Sequence, residues 1–208
     1  MKMPLLQVET ERLLIRPFQN DDYESWLDGF NKRLPSQYKY DDGYQVMASS
    51  TKEWFTEWIR GFDEAAHRDA MYVLGIFRKE DGANIGKLEL IKILRMDYQW
   101  AMMGYSIHNQ YWKNGYGMES VKAAISLFFN RLHFHRIELH IRVDNEPSVR
   151  LAERAGFSFE CKRERRFLWR RISGWIFLFI LKIRRWIYEG SNYRWKSRVR
   201  VTVSKSIS

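Results

Sequence analysis

Between Tyr98 and Val143 the residue pattern changes period twice, and this limits the fold more than any other stretch of the chain. Tyr98 to Ile107 is β-rich, Gly115 to Phe129 places Val121, Ala124, Ile125, Phe128 and Phe129 on one helical stripe, and Ile137 to Val143 alternates as a strand again. Strand, helix, strand is a βαβ unit. The join before the helix reads Trp112-Lys113-Asn114-Gly115-Tyr116-Gly117-Met118. Two glycines at that spacing permit close approach to a helix start, where several N–H groups lack intrahelical partners and the dipole favours an anion. A phosphate suits such a place, and so does a plain turn. The join lacks the Gly-Lys-Ser/Thr ending of a Walker loop and the third glycine of the dinucleotide fingerprint, so neither ATP nor NAD is favoured.

The remaining segments build one domain around this unit. Leu5 to Phe18 begins as a strand, with Leu13 and Ile15 on one face and Leu14 and Arg16 on the other. Asn20, Asp21 and Asp22 offer a cap to a helix carrying Tyr23, Trp26, Leu27 and Phe30, and Leu34 to Gly43 is loop. Ser50 and Glu53 have capping-box spacing ahead of Trp54, Phe55, Trp58, Ile59 and Phe62. Met71 to Arg78 and Asn84 to Leu94 form a hairpin about an Asp-Gly step. Ser148 to Ala155 is a short helix stopped by Gly156, and Phe157 to Arg163 is strand. The order β-α-α-β-β-β-α-β-α-β describes a single α/β domain, antiparallel in its first half.

The formal net charge of +10 invites a nucleic-acid reading, but its distribution decides otherwise. Met1 to Leu168 holds 25 Lys and Arg against 24 Asp and Glu, whereas Trp169 to Ser208 holds 10 against 1. Any polyanion argument therefore rests on the last segment alone. No apolar run approaches the roughly 20 residues of a membrane span, and Met1 to Leu6 has no secretory pattern, so a cytoplasmic address is expected. The lone Cys161 excludes an internal disulfide or thiolate cluster and reads as a small apolar strand residue. His133, His135 and His140 lack further ligands at metal spacing, so no metal is expected.

Four segments carry a family resemblance: Thr10-Glu11-Arg12-Leu13-Leu14-Ile15-Arg16-Pro17; Gly104-Tyr105-Ser106-Ile107; Tyr111 to Glu119; and Asn145-Glu146-Pro147-Ser148-Val149-Arg150-Leu151-Ala152-Glu153-Arg154-Ala155-Gly156-Phe157. Over about residues 8 to 168 the chain resembles the GNAT superfamily of acetyl-CoA-dependent N-acetyltransferases, in the branch that includes ribosomal-protein-alanine N-acetyltransferases. The resemblance implies a mixed α/β (α+β) fold with a central sheet of about six to seven strands. It implies that main-chain amides of Lys113, Asn114, Gly115, Tyr116, Gly117 and Met118 cradle the pyrophosphate of acetyl-CoA, although Trp112 replaces the usual Gln or Arg. It further implies a pantetheine arm along Tyr105, Ser106 and Ile107 and against Asn145, with a homodimer allowed.

The implied reaction is attack by a neutral primary amine on the acetyl carbonyl, with CoA thiolate leaving. An alkyl ammonium has a pKa near 10, so it must first lose a proton to a base or an ordered water. Glu89 is the first candidate base, with Glu119 and His108 behind it. The tyrosine that many members place on the last helix is replaced by Ala152, and Ser148 matches the serine that serves the leaving sulfur in this branch. Ser148 also suits a helix start. Trp54 and Trp58 read as core or as walls of an acceptor pocket.

Three readings follow. The acceptor is a protein N-terminus; or it is a small amine such as a polyamine, amino acid or aminoglycoside, for which Asp41, Asp42, Asp63 and Glu64 supply acidity; or the chain binds acyl-CoA or RNA without turnover. The segment 169–208 departs from the family hairpin, with an apolar Trp175 to Leu181 flanked by Arg170, Arg171, Lys182, Arg184 and Arg185. It reads as a final strand with a disordered basic tail, as an element binding RNA or anionic lipid, or as the product of a shifted reading frame that nucleotide sequence would reveal. The acetyltransferase domain is accordingly bounded at residue 168.

Overall fold

A computed structural model describes residues 6–166, 173–182, 187–189 and 192–194. Its main sheet has eight strands in the order β1-β2-β3-β4-β5-β6-β8-β7: β1 (Val8–Glu9), β2 (Leu13–Arg16), β3 (Met71–Arg78), β4 (Asn84–Leu94), β5 (Trp100–Ile107), β6 (Arg136–Arg142), β7 (Ser158–Arg166) and β8 (Ser173–Lys182). Among the described residues only the β5–β6 pairing is parallel. The helices are α1 (Tyr23–Asn31), α2 (Lys52–His67), α3 (Tyr116–Leu132) and α4 (Glu146–Arg154). A separate ribbon pairs β9 (Ile187–Glu189) with β10 (Asn192–Arg194). No helix among the described residues is long and apolar enough to cross a membrane.

The sheet exceeds the expected six to seven strands for two reasons. The chain reverses at Thr10 to Leu13, where the Thr10 amide donates to the Leu13 carbonyl at 2.9 Å, so the first segment splits into two antiparallel strands. The second reason is β8, which lies between β6 and β7 and is paired on both sides. β8 carries an unbroken apolar run, with the adjacent Leu178 and Phe179 on opposite faces both buried. The sheet thus extends beyond residue 168. Disorder is expected after Gly190, but Asn192–Arg194 forms a paired strand; the rest of that stretch lies outside the described residues.

Side-chain alternation divides the core. Leu13, Ile15, Leu74, Ile76, Leu88 and Leu90 face α3 and α4, where Phe128 and Phe134 are fully buried. Phe18, Val73 and Phe77 face the opposite side, against Trp26 of α1 and Phe55 of α2. Two caps differ from expectation. Thr51, rather than Ser50, caps α2 by accepting from the Trp54 amide, and Asn145 caps α4 by accepting from the Ser148 amide at 3.4 Å, so Ser148 lies inside the first turn. Asp22 makes no side-chain bond to the amides of α1; its carboxylate binds Arg16 at 2.7 and 2.8 Å and accepts from the Gln19 amide at 2.7 Å. Trp54 is 43% exposed, stacked on Trp58 rather than in the core, and Cys161 is exposed beside a register shift in β7.

Candidate active site

β5 is bonded very differently along its two edges. With β4 it pairs from Trp100 to Ile107, and His108 extends the contact by donating to the Ile85 carbonyl at 2.9 Å. With β6 it pairs only at Trp100↔Arg136, Ala101↔Ile137 and Met102↔Glu138, after which β6 continues along β8. Met103 to Ile107 therefore faces a fissure across which no ladder bond runs to β6. Backbone polar groups along such an edge are available to a ligand lying in the fissure.

The sequence loop lies where β5 leaves this fissure. Trp112 donates from Nε1 to the Ile107 carbonyl at 2.7 Å, which fixes the exit of the strand. Lys113 (φ +65°) and Gly115 (φ +82°) are left-handed, turning the chain so that α3 starts at Tyr116. The first regular helical bond runs from the Glu119 amide to the Gly115 carbonyl at 3.1 Å, leaving the amides ahead of it without i−4 partners among the described residues. A Cβ on Gly117 would sit 3.1 Å from Leu151 Cδ1 and 3.7 Å from Ile107 Cγ1, so the bare glycine lets α3 meet α4 and β5 closely. The Tyr116 side chain is buried, so only its main chain can serve a ligand.

Residues 12–158 match the family model described as "Acetyltransferase (GNAT) domain". The chain belongs to the GNAT acetyltransferase family. It is 29% identical over 153 residues to the Bacillus subtilis protein named "Probable N-acetyltransferase YjcK", covering 71% of this chain and 81% of that one. The ribosomal protein uS5-alanine N-acetyltransferase of Escherichia coli is 22% identical over 168 residues, covering 76% and 81%. Mycobacterium smegmatis RimJ, solved in complex with CoA-disulfide, has a TM-score of 0.67 at 17% identity, covering 82% of this chain and 81% of that one, a likeness of fold. This GNAT protein is an acetyl-CoA-dependent acyltransferase.

Within the GNAT domain, α4 and the α1–α2 loop border the fissure. Tyr105 spans it, donating its hydroxyl to the Ser148 carbonyl at 3.3 Å, and burial pushes its pKa up to about 12. The Ser148 side chain lies beside the same Tyr105 hydroxyl and lowers its pKa slightly against the effect of burial. The Tyr38 hydroxyl donates to Asn145 Oδ1 at 3.3 Å and its ring meets Trp112 edge-on at 5.5 Å. Lys39 (2.6 Å) and the Tyr40 hydroxyl bind Asp144, drawing its carboxyl down to about 2. This loop is shaped by Asp41, which accepts from Arg33, Asn109, Gln37 and Gly43. Burial alone would raise the Asp41 pKa, but those bonds hold it below the usual range.

The candidate bases separate clearly. Glu89 sits on the α1–α2 face of the sheet, opposite Val73 and Gly104; its Oε2 lies 3.6 Å from where a Gly104 Cβ would be, and it pairs with Lys87. Ser106 and Gly104 share this face, so the glycine leaves space beside the carboxylate. Glu119 instead accepts from Thr10 and Arg12; burial would raise its pKa, and these bonds outweigh that and lower it. His108 is 6% exposed beneath Phe30, with a ring contact of 4.7 Å; burial and the nearby Arg33 push its pKa down to about 4. That places His108 in the core and makes it a poor base for the fissure.

Sequence reasoning missed Glu138. This carboxylate, 1% exposed, binds Arg136 at 2.6 Å and His140 Nε2 at 3.0 Å at the point where β5 and β6 part. The available signal was an acid at a core position of an alternating strand, with an arginine and a histidine two residues to either side. Among the described residues no three His, Cys, Asp or Glu side chains are grouped to hold a metal.

Proposed function

We propose that this enzyme acetylates a protein N-terminal amine by direct attack on acetyl-CoA within a ternary complex. The carrying observation is the early end of the β5–β6 pairing beside the unpartnered amides of α3. The residues fit the co-substrate: a helix start with glycine-assisted access suits a diphosphate, and a free strand edge suits the amide-bearing pantetheine arm. Lys113 to Met118 would hold the pyrophosphate, with Tyr105, Ser106, Ile107 and Asn145 along the arm. Acetyl-CoA supplies an activated acyl thioester.

In this reading Glu89 takes the proton of the amine, directly or through a water, and the Ser148 hydroxyl donates to the leaving sulfur. A protein α-amine, with a pKa of about 8, needs less help than an alkyl amine. The N-terminal acceptor is favoured over a small polycation because the acidic set is dispersed. Asp41 is occupied inside its loop, and Glu64 pairs with Arg60 and Arg68 on the surface of α2. The name of the uS5-alanine N-acetyltransferase supports the same choice. The acetyltransferase domain, bounded at residue 168 by sequence, takes in β8 of the basic segment, which pairs with β6 and β7, and a cytoplasmic address accords with this role.

Calorimetry with CoA, followed by thiol release from acetyl-CoA over panels of peptides and small amines, tests the proposal. Micromolar uptake and turnover with free peptide N-termini are expected. Turnover confined to polyamines or aminoglycosides would overturn the acceptor, and an acetylated enzyme formed without acceptor would overturn direct attack.

A further inference from the structure

The turn at the head of α3 is gripped from a part of the chain more than a hundred residues away. Arg12 donates from Nε and Nη2 to Glu119 Oε2 at 2.8 and 2.6 Å, and from its main-chain N–H to Oε1 at 3.2 Å. Its Nη1 donates to the Asn114 carbonyl at 3.0 Å, and its guanidinium carbon lies 4.6 Å from the Tyr116 ring centroid. Thr10 donates its hydroxyl to the same Glu119 carboxylate. One side chain thus holds the residue before Gly115 and the residue three beyond Tyr116.

Two consequences follow for an anion at this turn. In a trans peptide the carbonyl and the next N–H point in opposite directions, so an Asn114 carbonyl held on Arg12 aims the Gly115 N–H away from Arg12. Glu119 would also place a negative charge in the first turn, where it competes with a bound diphosphate; the guanidinium cancels it. Only a forked cation can serve both partners, since a lysine ammonium offers a single point of charge.

We propose that Arg12 is a positioning residue for the pyrophosphate of acetyl-CoA, acting by orienting the Asn114–Gly115 peptide and by neutralising Glu119. This rests on the pyrophosphate assignment above. Parent protein that takes up no CoA in calorimetry overturns that assignment and the role of Arg12 with it. Parent protein that binds CoA while Arg12→Ala binds it equally overturns the role of Arg12 alone.

Arg12→Ala should raise the Kd and KM for acetyl-CoA about tenfold, the scale of one charge-assisted contact, with kcat and the acceptor KM within about twofold. Arg12→Lys, which keeps the charge should the alanine variant fail to fold, should raise that KM about threefold. Adding Glu119→Gln to Arg12→Ala should bring the KM back to within about threefold of the parent, because the unpaired carboxylate is gone. The Arg12→Ala penalty should also shrink with added salt. A double variant weaker than Arg12→Ala, or a loss of kcat and both KM values together with a lowered thermal midpoint, would show that Arg12 only supports the fold and would overturn the proposal.

Discussion

The two edges of β5 belong to one strand with one set of residues, yet they serve opposite ends. The β4 edge is bonded along its whole length over Leu88 and Leu90, both fully buried, and is closed at its end by His108. The β6 edge is bonded over three residues and then abandoned, with α3, α4 and the α1–α2 loop arranged around the gap. On the proposed reading, the difference teaches that the stability of this GNAT domain and its chemistry are drawn from separate sides of a single strand. A fully paired β5 would be more stable and would have nowhere to lay a pantetheine arm.

The largest effect should come from the closed edge. Leu88→Ala removes a side chain with no exposure and should cost about 2–5 kcal/mol in denaturant unfolding, leaving CoA affinity unchanged in the folded fraction. A parental unfolding curve would break the comparison. His108 gives the next effect, through pH. Its pKa of about 4 in the fold lies below the 6.5 of the free side chain, so the unfolded chain binds the proton more readily. Its contribution is complete above about pH 6.5 and is lost as the pH falls towards 4, up to about 3 kcal/mol. His108→Leu should flatten the stability profile in that window, while the lowered carboxylates Asp41 and Glu119 act at lower pH. Equal slopes in parent and variant would contradict a neutral, buried imidazole.

On the open side the effects should be kinetic. Glu89→Gln should lower kcat about a hundredfold with CoA affinity and thermal midpoint near the parent values, measured by thiol release and calorimetry. A kcat within twofold would remove Glu89 from the reaction. Gly115→Ala is the smallest, about 1 kcal/mol of stability from the left-handed turn, together with weaker CoA uptake. If stability falls and CoA binding does not, the turn matters to the fold alone and the two edges are less distinct than described.

Much of this architecture was legible locally. The hairpin about Asp81-Gly82, the stripe of α3 and the stop at Gly156 (φ +96°) depend on residues within a few positions of one another, and their patterns were read correctly. The loop from Trp112 to Met118 was visible as a helix start for the same reason. Misreadings arose where neighbours compete over one residue. Serine and threonine both cap helices well, so adjacent Ser50 and Thr51 are told apart only by which hydroxyl faces the Trp54 amide. Trp54 was apolar and in phase with the core, but α2 leaves it at the rim.

The sequence alone determined the kinds of element, their order, the glycine turn at α3 and, through four motifs, the family. Tertiary structure alone decided that β5 parts from β6 after Met102, that β8 enters between β6 and β7, that Arg12 grips Glu119 and that His108 is sealed under Phe30. The physical reason is range. Helix periodicity, caps and turns are satisfied within a few residues, whereas strand separation, burial and ion pairing depend on which distant segments fill the space beside a residue, and no local pattern carries that information.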